Sequence, residues 1–276
     1  MEHILNKIYE GDCLQIMESI PDESIDLILC DLPYGLTHNQ WDITIPFDAL
    51  WKQYRRIIKS NGVIVLTSHG IFTGKLIMSN PSWFRYKLVW IKSKSPNFLS
   101  ANIQPLRKHE DICVFYKNKP KYYPQFTKGK PYDRGIRKDQ HSSNYGPYKP
   151  NHGKNTGYRY PTDVLAMDDN HNDFIYCKTA ETEGKVYHPN QKPVELGRNI
   201  IRTYTDEGDI VLDNACGSGS FLVAAVMENR QFIGIEKNDN VVMYRKEPVN
   251  CIDVCNLRIE KALRIKNHLK NGRVQY

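Results

Sequence analysis

The chain has 276 residues, 40% of them hydrophobic and 25% charged, and a formal net charge of +7; that size suits one large α/β domain carrying an insertion. No apolar stretch approaches the roughly 20 residues of a membrane-spanning helix, and the start, Met1 to Lys7, does not read as a signal peptide. The seven cysteines are scattered without a C-x-x-C pair, and Cys251 and Cys255 have no nearby histidine, which argues against a metal site and for buried thiols in a reducing compartment.

Asp12 to Ile20 reads as a short helix. The apolar run Ile25-Asp26-Leu27-Ile28-Leu29-Cys30 reads as a buried parallel strand. It ends on Asp31-Leu32-Pro33-Tyr34, with Gly35 next. The carboxy end of such a strand is where open α/β sheets keep their ligands. A carboxylate, proline-stiffened carbonyls and an aromatic face at that place suit a flat, amine-bearing ring. Taken alone, the tetrapeptide is equally an ordinary strand end and turn, because Asp and Pro are common turn residues.

Phe47 to Lys59 carries apolar residues at Phe47, Leu50, Trp51, Tyr54, Ile57 and Ile58, the spacing of an amphipathic helix closed by Asn61-Gly62. Val63–Thr67, Tyr86–Ile91 and Asp111–Tyr116 are predicted strands. His109-Glu110 begins a zinc-like H-E-x-x-H string, but position 113 is Cys, so the pair is read as structural or adjacent to the ring site and not as a metal site.

From Lys117 to Tyr160 there are eleven Lys and Arg against the two acids Asp133 and Asp139, a balance of +9 that leaves −2 for the rest of the chain. Seven tyrosines lie in the same stretch, with neither the 2 nor the 3.6 period. A basic, tyrosine-bearing, loop-rich segment is the footprint of phosphate contact and base stacking. The candidate contacts are Lys128, Lys130, Arg134, Arg137, Lys138, Tyr145 and Tyr148. A solvated basic linker is the other reading.

The second half opens at His188, with Arg198 to Tyr204 as its entry helix. Ile210-Val211-Leu212 is a short strand that Asp213 closes, Gly217-Ser218-Gly219 makes a turn, and Phe221 to Met227 begins a helix. Gln231 to Glu236 is a second strand, ending in an acid 19 positions after Gly217. This is a βαβ nucleotide-binding unit whose acid is placed to grip a ribose diol. A dinucleotide fingerprint needs a third glycine where Leu222 stands, and the G-x-x-x-x-G-K-[ST] loop is absent. An acid at the head of the loop, Asp213, suits a ligand bearing an ammonium group. S-adenosylmethionine fits, with Asp213 and the loop amides at its amino-acid end and Glu236 at its ribose. An ordinary βαβ crossover remains open on spacing alone. Asn256 to Leu269 is a terminal helix, and the chain has no internal repeats.

Asp31-Leu32-Pro33-Tyr34 resembles the Asp-Pro-Pro-Tyr signature of the amino-group DNA methyltransferases. His188-Pro189-Asn190-Gln191-Lys192-Pro193 resembles the His-Pro-Thr-Gln-Lys-Pro block of their β-class adenine members. Tyr160-Pro161-Thr162-Asp163-Val164-Leu165, Trp41-Asp42 and Asp213-Asn214-Ala215-Cys216-Gly217-Ser218-Gly219-Ser220 match the same family, particularly its phage and prophage branch. Gly11-Asp12-Cys13-Leu14 resembles its adenine-contacting turn. The likeness spans nearly everything outside about 121–159. Two departures are Leu32 for the first proline of the signature and Asn214 for the proline after the loop acid; neither removes a group that the chemistry needs.

The resemblance implies the permuted order of that class: a catalytic half (1–116), a target-recognition insertion (117–187) and a cofactor half (188–276). The expected fold is a seven-stranded, mostly parallel Rossmann-like sheet with helices on both faces and one antiparallel edge strand. Asp31 and the carbonyl of Leu32 would accept the hydrogens of an exocyclic amine, and Tyr34, behind Pro33, would stack on the flipped base. S-adenosyl-L-methionine would meet Asp12, Cys13, Lys192, Asp213, Ala215, Cys216, Gly217, Ser218, Gly219 and Glu236, with no metal. The expected product is N6-methyladenine; the family's cytosine-N4 members more often carry Ser at the Asp31 position. Double-stranded DNA is the implied partner, and the resemblance also allows a cognate restriction endonuclease and a homodimer. The implied location is the cytoplasm of a bacterium or phage-infected cell. A nicotinamide oxidoreductase is disfavoured by Leu222, and a non-enzymatic DNA-binding protein by the two ligand-holding strand ends.

Overall fold

The computed structural model describes residues 1–37, 39–40, 42–136, 141–142, 146–147, 152–167, 175–176, 180, 183, 185–238 and 242–270. Its main sheet contains β1 (Lys7–Glu10), β2 (Ile25–Cys30), β3 (Ile58–Ser68), β4 (Phe84–Ile91), β5 (His109–Phe115), β6 (Val164–Met167), β7 (Ile175–Tyr176), β8 (Ile210–Asp213) and β9 (Gln231–Glu236). The helices are α1 (Cys13–Met17), α2 (Phe47–Ile57), α3 (Gly70–Ser79), α4 (Val194–Tyr204), α5 (Ser220–Met227) and α6 (Cys251–Lys270).

Nine strands lie in the order β1-β9-β8-β2-β3-β5-β4-β6-β7. The run β1-β9-β8-β2-β3 is parallel throughout. The mostly parallel α/β sheet is therefore as expected, but it is wider than seven strands. The antiparallel strand also differs from expectation: β5 is interior, paired antiparallel with both β3 and β4. It follows β4 through a loop and turns back into the gap beside β3. Residues Val164 and Leu165, within the span assigned to the insertion, pair in parallel with β4 in this sheet.

Both faces are covered, which is why the strands read as continuous apolar runs. Leu27, Leu29, Val63, Val65 and Val211 pack on one face with Leu196, Ile200 and Leu222 from α4 and α5. Ile28, Cys30, Ile64, Leu66 and Leu212 point to the other, where Leu50, Tyr54 and Leu76 from α2 and α3 meet them. Each fully buried aliphatic side chain contributes about 1.5–3 kcal/mol.

Some local expectations shift. The helix expected over 12–20 spans only Cys13–Met17, and Asn61-Gly62 lies inside β3 instead of closing α2. Helix α3 has no counterpart among the predicted elements. The basic stretch, expected as loops, pairs as antiparallel ribbon: Tyr132–Ile136 with His152–Asn155, and Thr127–Lys128 with Tyr158–Arg159.

The sheet's order reverses between β8 and β2. From β8 the chain passes outward to β9, from β2 outward to β3, so their carboxy ends open on one crevice. Ligands of open α/β sheets bind at such a switch point.

Candidate active site

A cleft of about 770 Å³ opens at this point, and it is lined by Asp31 to Tyr34 from β2 and Asp213 to Ser218 from β8. Asp12, Cys13, His188, Lys192 and Glu236 line it as well. The two strand-end motifs, 182 positions apart by their acids, thus share one cavity.

Asp31 is held from three sides. Tyr34 Oη donates to Asp31 Oδ1 at 2.7 Å, and Thr67 Oγ1 donates to the same oxygen. Lys192 Nζ lies 2.9 Å from Asp31 Oδ2 and 3.0 Å from Glu110 Oε2. Glu110 also takes the Lys92 ammonium. Burial alone would raise the Glu110 carboxyl, but Lys192 and Lys92 together hold it well below the usual carboxylate range. Burial would likewise depress Lys192, yet Asp31 and Glu110 keep it above the usual lysine value. The result is an alternating chain of charges, Asp31–Lys192–Glu110–Lys92. Of the cofactor candidates, Lys192 therefore sits with its ammonium on the Asp31 side of the cleft.

The residues around Lys192 explain its placement. Asn190 N–H donates to His188 Nδ1 at 3.2 Å, and Tyr187 N–H to Gln191 Oε1 at 3.1 Å. Burial lowers His188 to about 4, which keeps the ring neutral and able to accept. This turn delivers Lys192, and α4 begins after Pro193, its first N–H groups accepted by the Glu183 carboxylate. Asp42 does similar work beside the Asp31 strand end: its carboxylate accepts the N–H groups of Gly35, Leu36 and Thr37 at 2.8, 3.0 and 2.8 Å. The Tyr34 ring, fixed above this loop, packs 4.8 Å from Phe72 and edge-on to His69 at 5.2 Å.

On the other wall, Asp213 is 2% exposed, and burial, reinforced by Glu236 and Asp31, pushes its carboxyl up to about 8. Gly217 N–H donates to Glu236 Oε2 at 2.6 Å, tying the loop to the end of β9. Gly217 and Gly219 have φ of +50° and +76°, left-handed values that favour glycine. Gly219 does not line the cleft; a Cβ there would lie 2.2 Å from Cys255 Sγ of α6. Arg258, also on α6 and buried, donates to the Ser218 carbonyl at 2.6 Å and to the Ser218 and Ser220 hydroxyls at 3.0 Å. Asp12 caps α1, accepting from Leu14 N–H at 2.8 Å, so it reaches the cleft already engaged. The Tyr54 hydroxyl donates to Asn214 Oδ1 at 2.6 Å, which gives a structural use to the asparagine that replaces proline. Asn214 Nδ2 is buried without a hydrogen-bond acceptor, and the Asn214 side chain lies near the Cys13 thiol.

Lys128, Lys130 and Arg134 are exposed on the ribbon and do not line the cleft. Arg137, Lys138, Tyr145 and Tyr148 lie outside the described residues. Glu110, read from the sequence as structural or adjacent to the ring site, lines the cleft; Lys92, Thr67 and Arg258 had no predicted role. Among the described residues no cluster of His, Cys, Asp and Glu could hold a metal, and no helix is long and apolar enough to cross a membrane.

The fold and cleft define a Rossmann-like α/β protein with a carboxylate poised at the strand end beside a glycine-loop wall. Residues 25–247 match the family N6_N4_Mtase, described as DNA methylase. The chain belongs to this family of amino-group DNA methyltransferases. It is 28% identical over 255 residues to the type II methyltransferase M2.MboI of Moraxella bovis, covering 83% of this chain and 82% of that protein. It is 29% identical over 260 residues to the type II methyltransferase M.BglII from Bacillus subtilis, covering 84% of this chain and 65% of that one. Among solved structures it shares its fold with the M1.HpyAVI–SAM complex (TM-score 0.57, 19% identity, 92% of this chain and 98% of that one). It shares it also with the PvuII cytosine-N4-specific DNA methyltransferase (TM-score 0.59, 18% identity, 97% and 93%).

Proposed function

We propose that this protein transfers a methyl group from S-adenosylmethionine to the exocyclic N6 of adenine at a specific site in double-stranded DNA. The observation that carries the reading is Asp31: a carboxylate at the end of β2, 24% exposed, on the cavity that the Asp213 loop also lines.

The residues fit the methyl donor. Asp213, protonated when the cleft holds no cation, gains an ionic partner from an α-ammonium group. Asn214 Nδ2 is a buried donor in want of an acceptor. Glu236 offers a carboxylate to a ribose diol. Cys13 walls the cleft where the resemblance places the adenine ring. When bound, S-adenosylmethionine supplies a methyl group already activated by a sulfonium centre.

The other work falls to the chain. An exocyclic amine has its lone pair conjugated into the ring and is a poor nucleophile. Asp31 and the Leu32 carbonyl accept its two hydrogens, tilting the nitrogen toward tetrahedral geometry and aiming its lone pair into the cleft. A hydrogen bond to a charged acceptor contributes about 1.5–3 kcal/mol, and alignment of the reacting groups supplies much of the remainder. Lys192 and Thr67 are positioning residues that fix the Asp31 carboxylate. Tyr34 stacks on the base, which reaches such a pocket only when flipped out of the duplex. Strand-end signature first and glycine loop second is the permuted β-class order, and the exposed cations of the 117–187 insertion would meet phosphate. The likeness to type II methyltransferases supports a cognate restriction endonuclease as a partner.

The amine of cytosine has the same geometry, and the PvuII neighbour is cytosine-N4-specific by name. Aspartate at position 31 favours adenine over that reading. Asp31→Ala should abolish methyl transfer to DNA while calorimetry shows S-adenosylmethionine affinity unchanged within a few-fold. A variant that keeps a tenth of the wild-type rate would remove Asp31 from the chemistry.

A further inference from the structure

The loop from residue 92 to 108, between β4 and β5, carries Lys92, Lys94, Arg107 and Lys108 and no acid. It is built, not slack. Asn97 Oδ1 accepts the Arg107 N–H at 2.7 Å, and the Arg107 guanidinium lies 3.1 Å from the His69 ring nitrogen. The Ser100 carbonyl accepts the N–H groups of Ile103 and Gln104 at 2.9 and 3.0 Å. This scaffold holds Leu99 85% exposed, Ile103 86% and Phe98 68%. Phe98, Pro96 and Lys94 are also part of the cleft wall, so the apolar tip stands beside the opening through which a base would enter.

Large aliphatic side chains held in water on a fixed turn need an apolar partner. Lys92 is taken by Glu110 and Arg107 by His69, but Lys94 and Lys108 stand exposed on a loop with no acid of its own, which suits a polyanion. Duplex DNA offers both, in its stacked bases and its phosphates. A second copy docked symmetrically through this loop would set the same cations against each other.

We propose that the 97–104 turn is a wedge, with Leu99 and Ile103 entering the base stack where the target base has left it. Apolar side chains inserted between base steps are a known way to hold a distorted duplex. The proposal rests on the base-flipping reading above, because a wedge offsets the loss of stacking only if a base leaves.

The test uses full-length protein and duplexes bearing a sequence that it methylates, in two forms. One is fully paired; in the other the target base faces an abasic site, which removes most of the cost of flipping. The double variant Leu99→Ser/Ile103→Ser should lose at least about tenfold in kcat/KM on the paired duplex, yet stay within about threefold of wild type on the unpaired one. Leu99→Met, which keeps the apolar bulk, should stay within about threefold on both. Equal loss on the two duplexes, or no loss on either, overturns the wedge. So does a dimer that becomes monomeric in the double variant with paired-duplex activity intact, which would assign the tip to a second copy. Wild-type protein that methylates no DNA would sink the proposed function itself, a separate result.

Discussion

Asp213 gives the proposed cofactor wall a titratable signature. Burial, helped by the charges of Glu236 and Asp31, raises its carboxyl to about 8, so at pH 7 the free protein holds it mostly protonated. A cation bound against it lowers that value, and binding of S-adenosylmethionine at pH 7 should release close to one proton. Calorimetric enthalpies should then vary with the ionisation enthalpy of the buffer, and Asp213→Asn should remove the variation. Enthalpies that do not depend on buffer in the wild type would place the ammonium elsewhere. The same shift fixes a sign for stability. The folded value lies above the unfolded value of about 3.9, so this group's contribution is complete below about pH 4 and is lost as pH rises through about 8.

The glycine loop and α6 form a coupled pair of elements. Gly219→Ala must accept a left-handed φ of +76° and place a Cβ 2.2 Å from Cys255 Sγ. The backbone costs about 1–2 kcal/mol and overpacking about 1–3 kcal/mol, so urea unfolding should show a loss of about 2–5 kcal/mol. Adding Cys255→Ala should recover part of it, since the two sites touch; simple additivity would contradict the packing. Which features could be read beforehand follows from how local their signals are. The Asp31 strand end and the Asp213 loop announce themselves through a few contiguous residues, apolar then acid, glycine or proline. Glu110 joins Lys192 across 82 positions, and Arg258 reaches the loop across 40; no local pattern marks either. The sequence places Glu110 as structural or adjacent to the ring site, but its pairing with Lys192 is not legible there. Helix α3 escaped because Gly70 and Gly74 interrupt it and its polar face is weak. The position of β5 escaped because pairing order belongs to the whole sheet, and the ribbon because exposed strands carry no apolar alternation.

At the scale of the molecule, charge is divided between the basic stretch from Lys117 to Tyr160, at +9, and the remainder, at −2. Lys128, Lys130 and Arg134 stand exposed on the ribbon, and the Arg134 guanidinium lies 4.6 Å from the Tyr132 ring. Neutralising these three together should lower the slope of DNA affinity against salt by about 0.9 unit per lost contact, with cofactor affinity untouched. Salt titrations that run parallel for variant and wild type would put the DNA on another face. The account as a whole stands or falls on what the protein writes into DNA. Unmethylated DNA incubated with the protein and S-adenosylmethionine should, after digestion to nucleosides, contain N6-methyladenine by mass spectrometry, and Asp31→Ala should leave none. N4-methylcytosine as the product, or no methylated base at all, would contradict it.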